Sequence, residues 1–153
     1  MGNYFEDYGA QSTSQTPQSG NYFENYGHEQ TPDNVTQAQN LIGSQDYNQL
    51  CERFAEAVTK GKTGVYPSAT DAWLDYSKQG KAKQGIDGLK KGDLIYWYNP
   101  ADSDGHVSVY IGGDTMIGAT DTEGIKQTNI NNWAKDTGEQ ILGHVPYEVA
   151  KGN

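Results

Sequence analysis

The chain has 153 residues, a net charge of −9 and an apolar share of 34%. That length allows one domain with a modest core plus a tail, and the low apolar share leaves part of the chain outside the core. The charge excludes a phosphate-gripping surface, which needs clustered Lys and Arg, and adhesion to anionic membranes by charge alone, so no nucleic-acid partner is expected.

No apolar run approaches the ~20 residues of a membrane span. The start, Met1-Gly2-Asn3-Tyr4-Phe5-Glu6, has no basic region followed by an apolar one, so no Sec signal peptide is expected. The single cysteine, Cys51, excludes an internal disulfide and a cysteine-based zinc site. It is either a small buried hydrophobe or a reactive thiol.

Residues 1–37 read as a low-complexity tail, extended or disordered. Gly2-Asn3-Tyr4-Phe5-Glu6-Asp7-Tyr8-Gly9 recurs as Gly20-Asn21-Tyr22-Phe23-Glu24-Asn25-Tyr26-Gly27, with a polar, Pro-interrupted spacer between the copies. The alternative is that Tyr4–Tyr8 and Tyr22–Tyr26 are aromatic docking motifs that order on a partner. His28 falls in this tail and is expected to be inert.

A folded domain is expected over 38–149. Ser44 or Asp46 can cap a helix, and Asp46-Tyr47-Asn48-Gln49 has capping-box spacing. Tyr47, Leu50, Cys51, Phe54 and Val58 then share one helical face, and Gly61 to Gly64 ends the run. A second helix follows Ser68, with Ala69, Ala72, Trp73 and Tyr76 as its apolar face. Lys78 to Gly88 reads as a basic, Gly-rich loop.

After Lys90-Lys91-Gly92 the apolar period becomes two. Asp93 to Tyr98 is a strand and Asn99 to Gly105 a turn. His106 to Ile111, Thr115 to Thr120, Ile125 to Thr128 and Gln140 to Tyr147 are further strands, with a short helix near Trp133. Helices followed by an antiparallel meander of about five strands make an α+β fold.

A thiol on a helix facing a histidine on a strand is the arrangement of a cysteine hydrolase, so Cys51 and His106 are the candidate pair. Cys51 lies about five residues after the expected cap, at the weak end of the helix-dipole effect. His106 must therefore supply most of the activation, and Gly105 before it allows close approach of a substrate chain. A third polar group should orient the imidazole, and the next strand offers Thr120 and Asp121. The plain alternative is a core cysteine and a solvated turn histidine. His144, on an apolar strand, reads as a packed core histidine. Asp102 and Asp104 lack the pattern of a calcium loop, because Pro100 fills its first ligand place and no Glu closes it.

Three segments together are similar to the NlpC/P60 and CHAP group of papain-like cysteine peptidases. They are Asn48-Gln49-Leu50-Cys51-Glu52-Arg53-Phe54, Lys91-Gly92-Asp93-Leu94-Ile95-Tyr96-Trp97, and Gly105-His106-Val107-Ser108-Val109-Tyr110-Ile111-Gly112. The resemblance covers roughly 41–147 and is most specific from Lys91 to Ala119. It implies a papain-like fold with N-terminal helices packed on a small antiparallel sheet. It implies a peptidoglycan hydrolase, a cysteine endopeptidase or amidase cutting amide bonds in the stem peptide or between sugar and peptide, with Cys51 as nucleophile, His106 as base and no metal or cofactor.

This chain departs from the family pattern at two places. The usual Asp-Cys-Ser-Gly is replaced by Leu50-Cys51-Glu52-Arg53. The family's third residue, often a histidine, falls twelve positions after the catalytic one, which is Gly118 here. Some relatives carry an Asp about three places later, so the resemblance implies Asp121 for that role. It also implies that Asn48 or Gln49 helps the Cys51 N–H to bind the oxyanion.

The expected partner is bacterial peptidoglycan, reached as a phage lysin or, since the charge suits a free wall-binding enzyme poorly, as a virion-associated enzyme. The repeats would then anchor it to other virion proteins. The alternative is a catalytically inactive NlpC/P60-like structural or binding module of a virion or secretion assembly, which the glycine at 118 favours.

Overall fold

A computed structural model describes residues 30–152. The expected tail up to residue 29, its two repeats and His28 lie outside the described residues. The compact unit begins at Thr31. Its first helix, α1 (Asp33–Asn40), buries Val35 and Ala38, so the folded part starts ahead of residue 38. The polar run around this helix hides it from a composition reading, because only two apolar residues face the core.

Helices α2 (Cys51–Lys60) and α3 (Ala69–Lys78) follow. Gly61 closes α2 with φ 71, a left-handed conformation that costs glycine little. Ser68 caps α3 as expected, its Oγ accepting from Asp71 N at 3.1 Å. Two charged residues of α2 are buried rather than solvated. Glu56 accepts from Val65 N and Tyr66 N at 3.0 and 2.8 Å, which ties the loop after α2 back to the helix. Tyr96 OH donates to Glu52 at 3.1 Å, and burial with a hydrogen bond to Glu56 pushes the Glu52 carboxyl up to about 9. Glu52 is therefore neutral at pH 7, which is how a carboxyl survives in this core.

The remaining elements are β1 (Lys83–Gln84), β2 (Leu94–Asn99), β3 (Asp102–Gly112), β4 (Thr115–Ala119), β5 (Ile125–Asn129), α4 (Ile130–Thr137), β6 (Gln140–Val145) and α5 (Tyr147–Ala150). The six strands form one antiparallel sheet in the order β1-β6-β2-β3-β4-β5. The strand beyond the expected five is β1, a two-residue edge inside the Gly-rich loop, too short to leave a periodic signal.

Alternation of side chains divides the sheet into two faces. Leu94, Tyr96, Val107, Val109, Ile117, Ala119 and Val145 face α1, α2 and α3 in the main core. Ile95, Trp97 and Met116 face the other way and are covered by Ile130 and Trp133 of α4. His106 and Ser108 fall on this second face, by the same period of two.

The β2–β3 connection is tighter than the sequence suggests. Asn99 pairs with Asp102 across Pro100-Ala101, and Asn99 Oδ1 accepts from Ala101 N at 2.8 Å. His106 is therefore the fifth residue of β3, opposite Trp97, rather than the first. Asp and Ser at 102–104 mask this extension, since both disfavour strands.

Candidate active site

Cys51 is the first residue of α2. The residue before it, Leu50, has φ −123 and ψ 52 and offers no side-chain cap. The expected capping box does not form: Ser44 Oγ accepts from Asp46 N at 3.2 Å and Leu50 N donates to Tyr47 O at 2.8 Å, so 44–50 is a run of turns. A first-turn cysteine lies among backbone N–H groups that have no intrahelical acceptor, at the positive end of the dipole.

Gln49 adopts φ 64, and is the only non-glycine among the described residues with positive φ. Such strain persists only where surroundings hold it. Here Gln49 N donates to Thr120 O at 3.1 Å, tying the entry of α2 to the end of β4.

The Cys51 thiol is half-buried, and burial pushes its pKa up to about 12. The Glu52 and Glu139 carboxylates add to that, while hydrogen bonds from the backbone N–H groups of Val107 and Glu52 to the sulfur oppose it. Val107 is free to donate because the β3–β4 ladder begins only at the Val109–Ile117 pair. The sulfur is thus held beside the residue that follows His106. Among the described residues no hydrogen bond joins the sulfur to the imidazole itself.

His106 is 6% exposed, and burial alone pulls its pKa down to about 4. Its ring stacks on Trp133 with centroids 4.6 Å apart and planes at 22°. Trp133 is fixed in turn: its Nε1–H donates to Glu139 at 2.7 Å, and Glu139 also accepts from Asn99 Nδ2 at 3.1 Å. Nε2 of His106 lies 3.0 Å from Ser108 Oγ. Nδ1 has no hydrogen bond among the described residues.

Cys51 and His106 line the same cavity, of about 550 Å³, together with Gln49, Gly105, Asp121 and Trp133. A second hollow of about 240 Å³, lined by Arg53, Tyr66 and Ser68, shares Gln49, Cys51 and Asp104 with the first. Cys51 therefore lines both hollows. The larger hollow has an acidic lining, with Asp102, Asp104, Asp121 and Glu139 and no Lys or Arg.

Other expected site residues take different parts. Asp121 lines the larger cavity as an exposed turn residue and makes no hydrogen bond to His106. Ser108 occupies the nitrogen Asp121 was expected to hold, because β3 brings residues 106 and 108 to one face. Thr120 closes its own turn, donating to Gly124 O and accepting from Glu123 N, both at 2.8 Å. Asn48 is also structural: its Oδ1 accepts from Gly124 N at 2.9 Å and its Nδ2 donates to Gln45 at 2.6 Å, and it lines neither hollow.

Gly105 lines the cavity and also serves packing. It has φ 70, and a Cβ there would meet Thr70 Oγ1 at 2.7 Å and the Trp97 carbonyl at 2.9 Å. His144 is a core histidine; its Nδ1 pairs with Gly85 O at 2.8 Å and its Nε2 lies 4.0 Å from Asp93. Sequence reasoning missed Ser108, Trp133 and Glu139. For Ser108 the available signal was its spacing of two from His106.

Among the described residues no cluster of His, Cys, Asp and Glu could hold a metal, and no helix is long and apolar enough to cross a membrane.

No curated protein matches the chain. Among solved structures, an NlpC/P60 family protein from Bacillus cereus is similar with a TM-score of 0.58 and 21% identity, over 77% of this chain and 41% of that one. A protein from Staphylococcus aureus described as similar to lipoprotein, NLP/P60 family, gives 0.49 and 18% identity, over 75% of this chain and 40% of that one. The chain thus spans about two-fifths of the length of each. The NlpC/P60 family profile matches residues 8–140. With most of its length matched, the chain belongs to the NlpC/P60 family.

Proposed function

We propose that this protein is a cysteine hydrolase that cuts an amide bond of bacterial peptidoglycan, with Cys51 as nucleophile and His106 as general base. The family is typically one of cysteine peptidases and amidases acting on peptidoglycan. The observation that carries the reading to this chain is the shared cavity: a first-turn cysteine, a buried histidine and a strained Gln49 open on one space.

The resting pair is neutral, since burial raises the thiol and lowers the imidazole. Attack is therefore coupled to proton transfer. His106 Nδ1 takes the thiol proton as sulfur bonds to the scissile carbonyl carbon. The Cys51 N–H and the Gln49 side-chain amide stabilise the oxyanion. The C–N bond then breaks, and the leaving amine takes the proton from His106. Water, deprotonated by His106, hydrolyses the thioester, releasing a carboxylic acid and regenerating the thiol.

The base must be neutral to act, so kcat/KM for a stem-peptide substrate should fall as pH drops through about 4. Trp133→Ala opens the imidazole to water and should move that acid limb up toward the ordinary histidine value of about 6.5. A pH–rate series on both proteins checks this; an identical limb in the two would refute His106 as the titrating base.

The finer reading is a virion-associated enzyme, anchored through the Tyr4–Tyr8 and Tyr22–Tyr26 repeats. The paired copies of one aromatic motif support it. Removing residues 1–29 should abolish incorporation into the parent particle while leaving hydrolysis of purified cell wall unchanged; full incorporation of the shortened chain would contradict the anchoring role.

A further inference from the structure

We propose that Ser108 is the positioning residue of this site: its hydroxyl accepts the Nε2 proton of His106 and holds the imidazole with Nδ1 toward the Cys51 thiol. The inference rests on the reading of Cys51 and His106 as the reacting pair.

Three observations support it. The first is direct: Ser108 Oγ lies 3.0 Å from His106 Nε2, and Ser108 is 1% exposed. No other side chain pairs with this hydroxyl among the described residues, so the contact is its one buried partnership.

The second is the space around Gly118. A Cβ built on that glycine would lie 2.6 Å from Ser108 Oγ and 3.3 Å from His106 Nε2. Position 118 on β4 and position 108 on β3 therefore address the same small volume beside Nε2, and only one of them can fill it. A side chain at 118 would displace the hydroxyl; glycine there makes room for it. Seen this way, Gly118 does not mark a lost residue. The group that holds the ring comes from β3 rather than β4.

The third is polarity. A neutral hydroxyl orients the ring without adding charge, and burial is the sole cause acting on the imidazole. A carboxylate on Nε2 would instead favour the imidazolium. The ring nitrogen that keeps its proton is set by the partner of the other, so a hydroxyl accepting at Nε2 leaves Nδ1 as the base.

The test uses the full chain as wild type, Ser108→Ala, and the double variant Ser108→Gly with Gly118→Asn, which moves the polar group to β4. Three readouts are taken: the ¹⁵N shifts of the His106 ring, the rate of Cys51 alkylation by iodoacetamide, and kcat and KM for wall-peptide hydrolysis. In wild type the ¹⁵N shifts should show the proton on Nε2. In Ser108→Ala they should show a tautomer mixture, slower alkylation, and kcat reduced about 10- to 100-fold with KM unchanged. That loss is smaller than the ~10⁴-fold lost when a charged orienting group is neutralised. The double variant should recover the single tautomer and most of kcat.

A single Nε2 tautomer and full kcat in Ser108→Ala would overturn the proposal, as would a wild-type proton on Nδ1. If wild type cuts no wall peptide yet Ser108→Ala alone loses the tautomer and slows alkylation, the positioning role stands and the hydrolase reading fails.

Discussion

Cys51→Ala is expected to lower kcat/KM for wall-peptide hydrolysis by about 10⁴- to 10⁶-fold, down to the level set by binding and oxyanion contacts alone. The substitution removes the only sulfur that lines the cavity. The nearby hydroxyls are committed or set apart: Thr120 and Thr137 line the cavity but donate to Gly124 O and Trp133 O, Ser108 is buried, and Ser68 lines only the smaller hollow. Stability should hardly change, since a half-buried sulfur whose backbone hydrogen bonds, from Val107 and Glu52, are weak contributes about 1 kcal/mol. Steady-state kinetics beside a thermal melt separates the two effects. No rate in either protein would favour the inactive-module alternative, and equal rates above background would remove Cys51 as the nucleophile.

Phe54→Ala should instead act through stability. Phe54 is fully buried, packs edge-on against Tyr47 with centroids 5.9 Å apart, and lies one helical turn after Cys51. Removing a buried phenyl ring costs about 3–5 kcal/mol, because lost transfer energy is joined by the cavity left behind. Total stabilities are only about 5–15 kcal/mol, so this is a large share. Urea unfolding should show the midpoint fall with an unchanged slope. The Tyr47–Phe54 contact also holds the turn that enters α2, so surviving folded protein should show reduced activity as Cys51 loses its fixed position. A loss below about 1 kcal/mol would mean the core collapses around the gap, contrary to its close packing.

The elements with strong periodicity could be read from the chain. The apolar run 93–98 became β2, buried on both faces, and the apolar face of 50–58 became α2, packed on one face. What escaped was set by tertiary context. Glu52 and Glu56 look like a solvated face, yet Tyr96 and the backbone of the following loop hold them in the core. The start of α2 was masked because residues 46–49 carry capping chemistry that the chain uses for turns. In the site, Cys51, His106, Gln49 and Gly105 were legible as lining residues, and the structure brings them to one cavity. Asp121 was chosen by a spacing rule, whereas the actual partner of Nε2 follows from strand pleating and the void at Gly118. Trp133 is remote in sequence and reaches His106 only because α4 folds over the second face of the sheet.

Mass spectrometry of purified peptidoglycan digested with the intact protein decides whether Cys51, with His106, cleaves an amide bond of the wall. Expected are fragments bearing one new free amine and one new carboxyl group at a single amide position, absent from a parallel Cys51→Ala digest. A fragment pattern identical to untreated peptidoglycan, or the same cleavage by the Cys51→Ala protein, would contradict this role of Cys51.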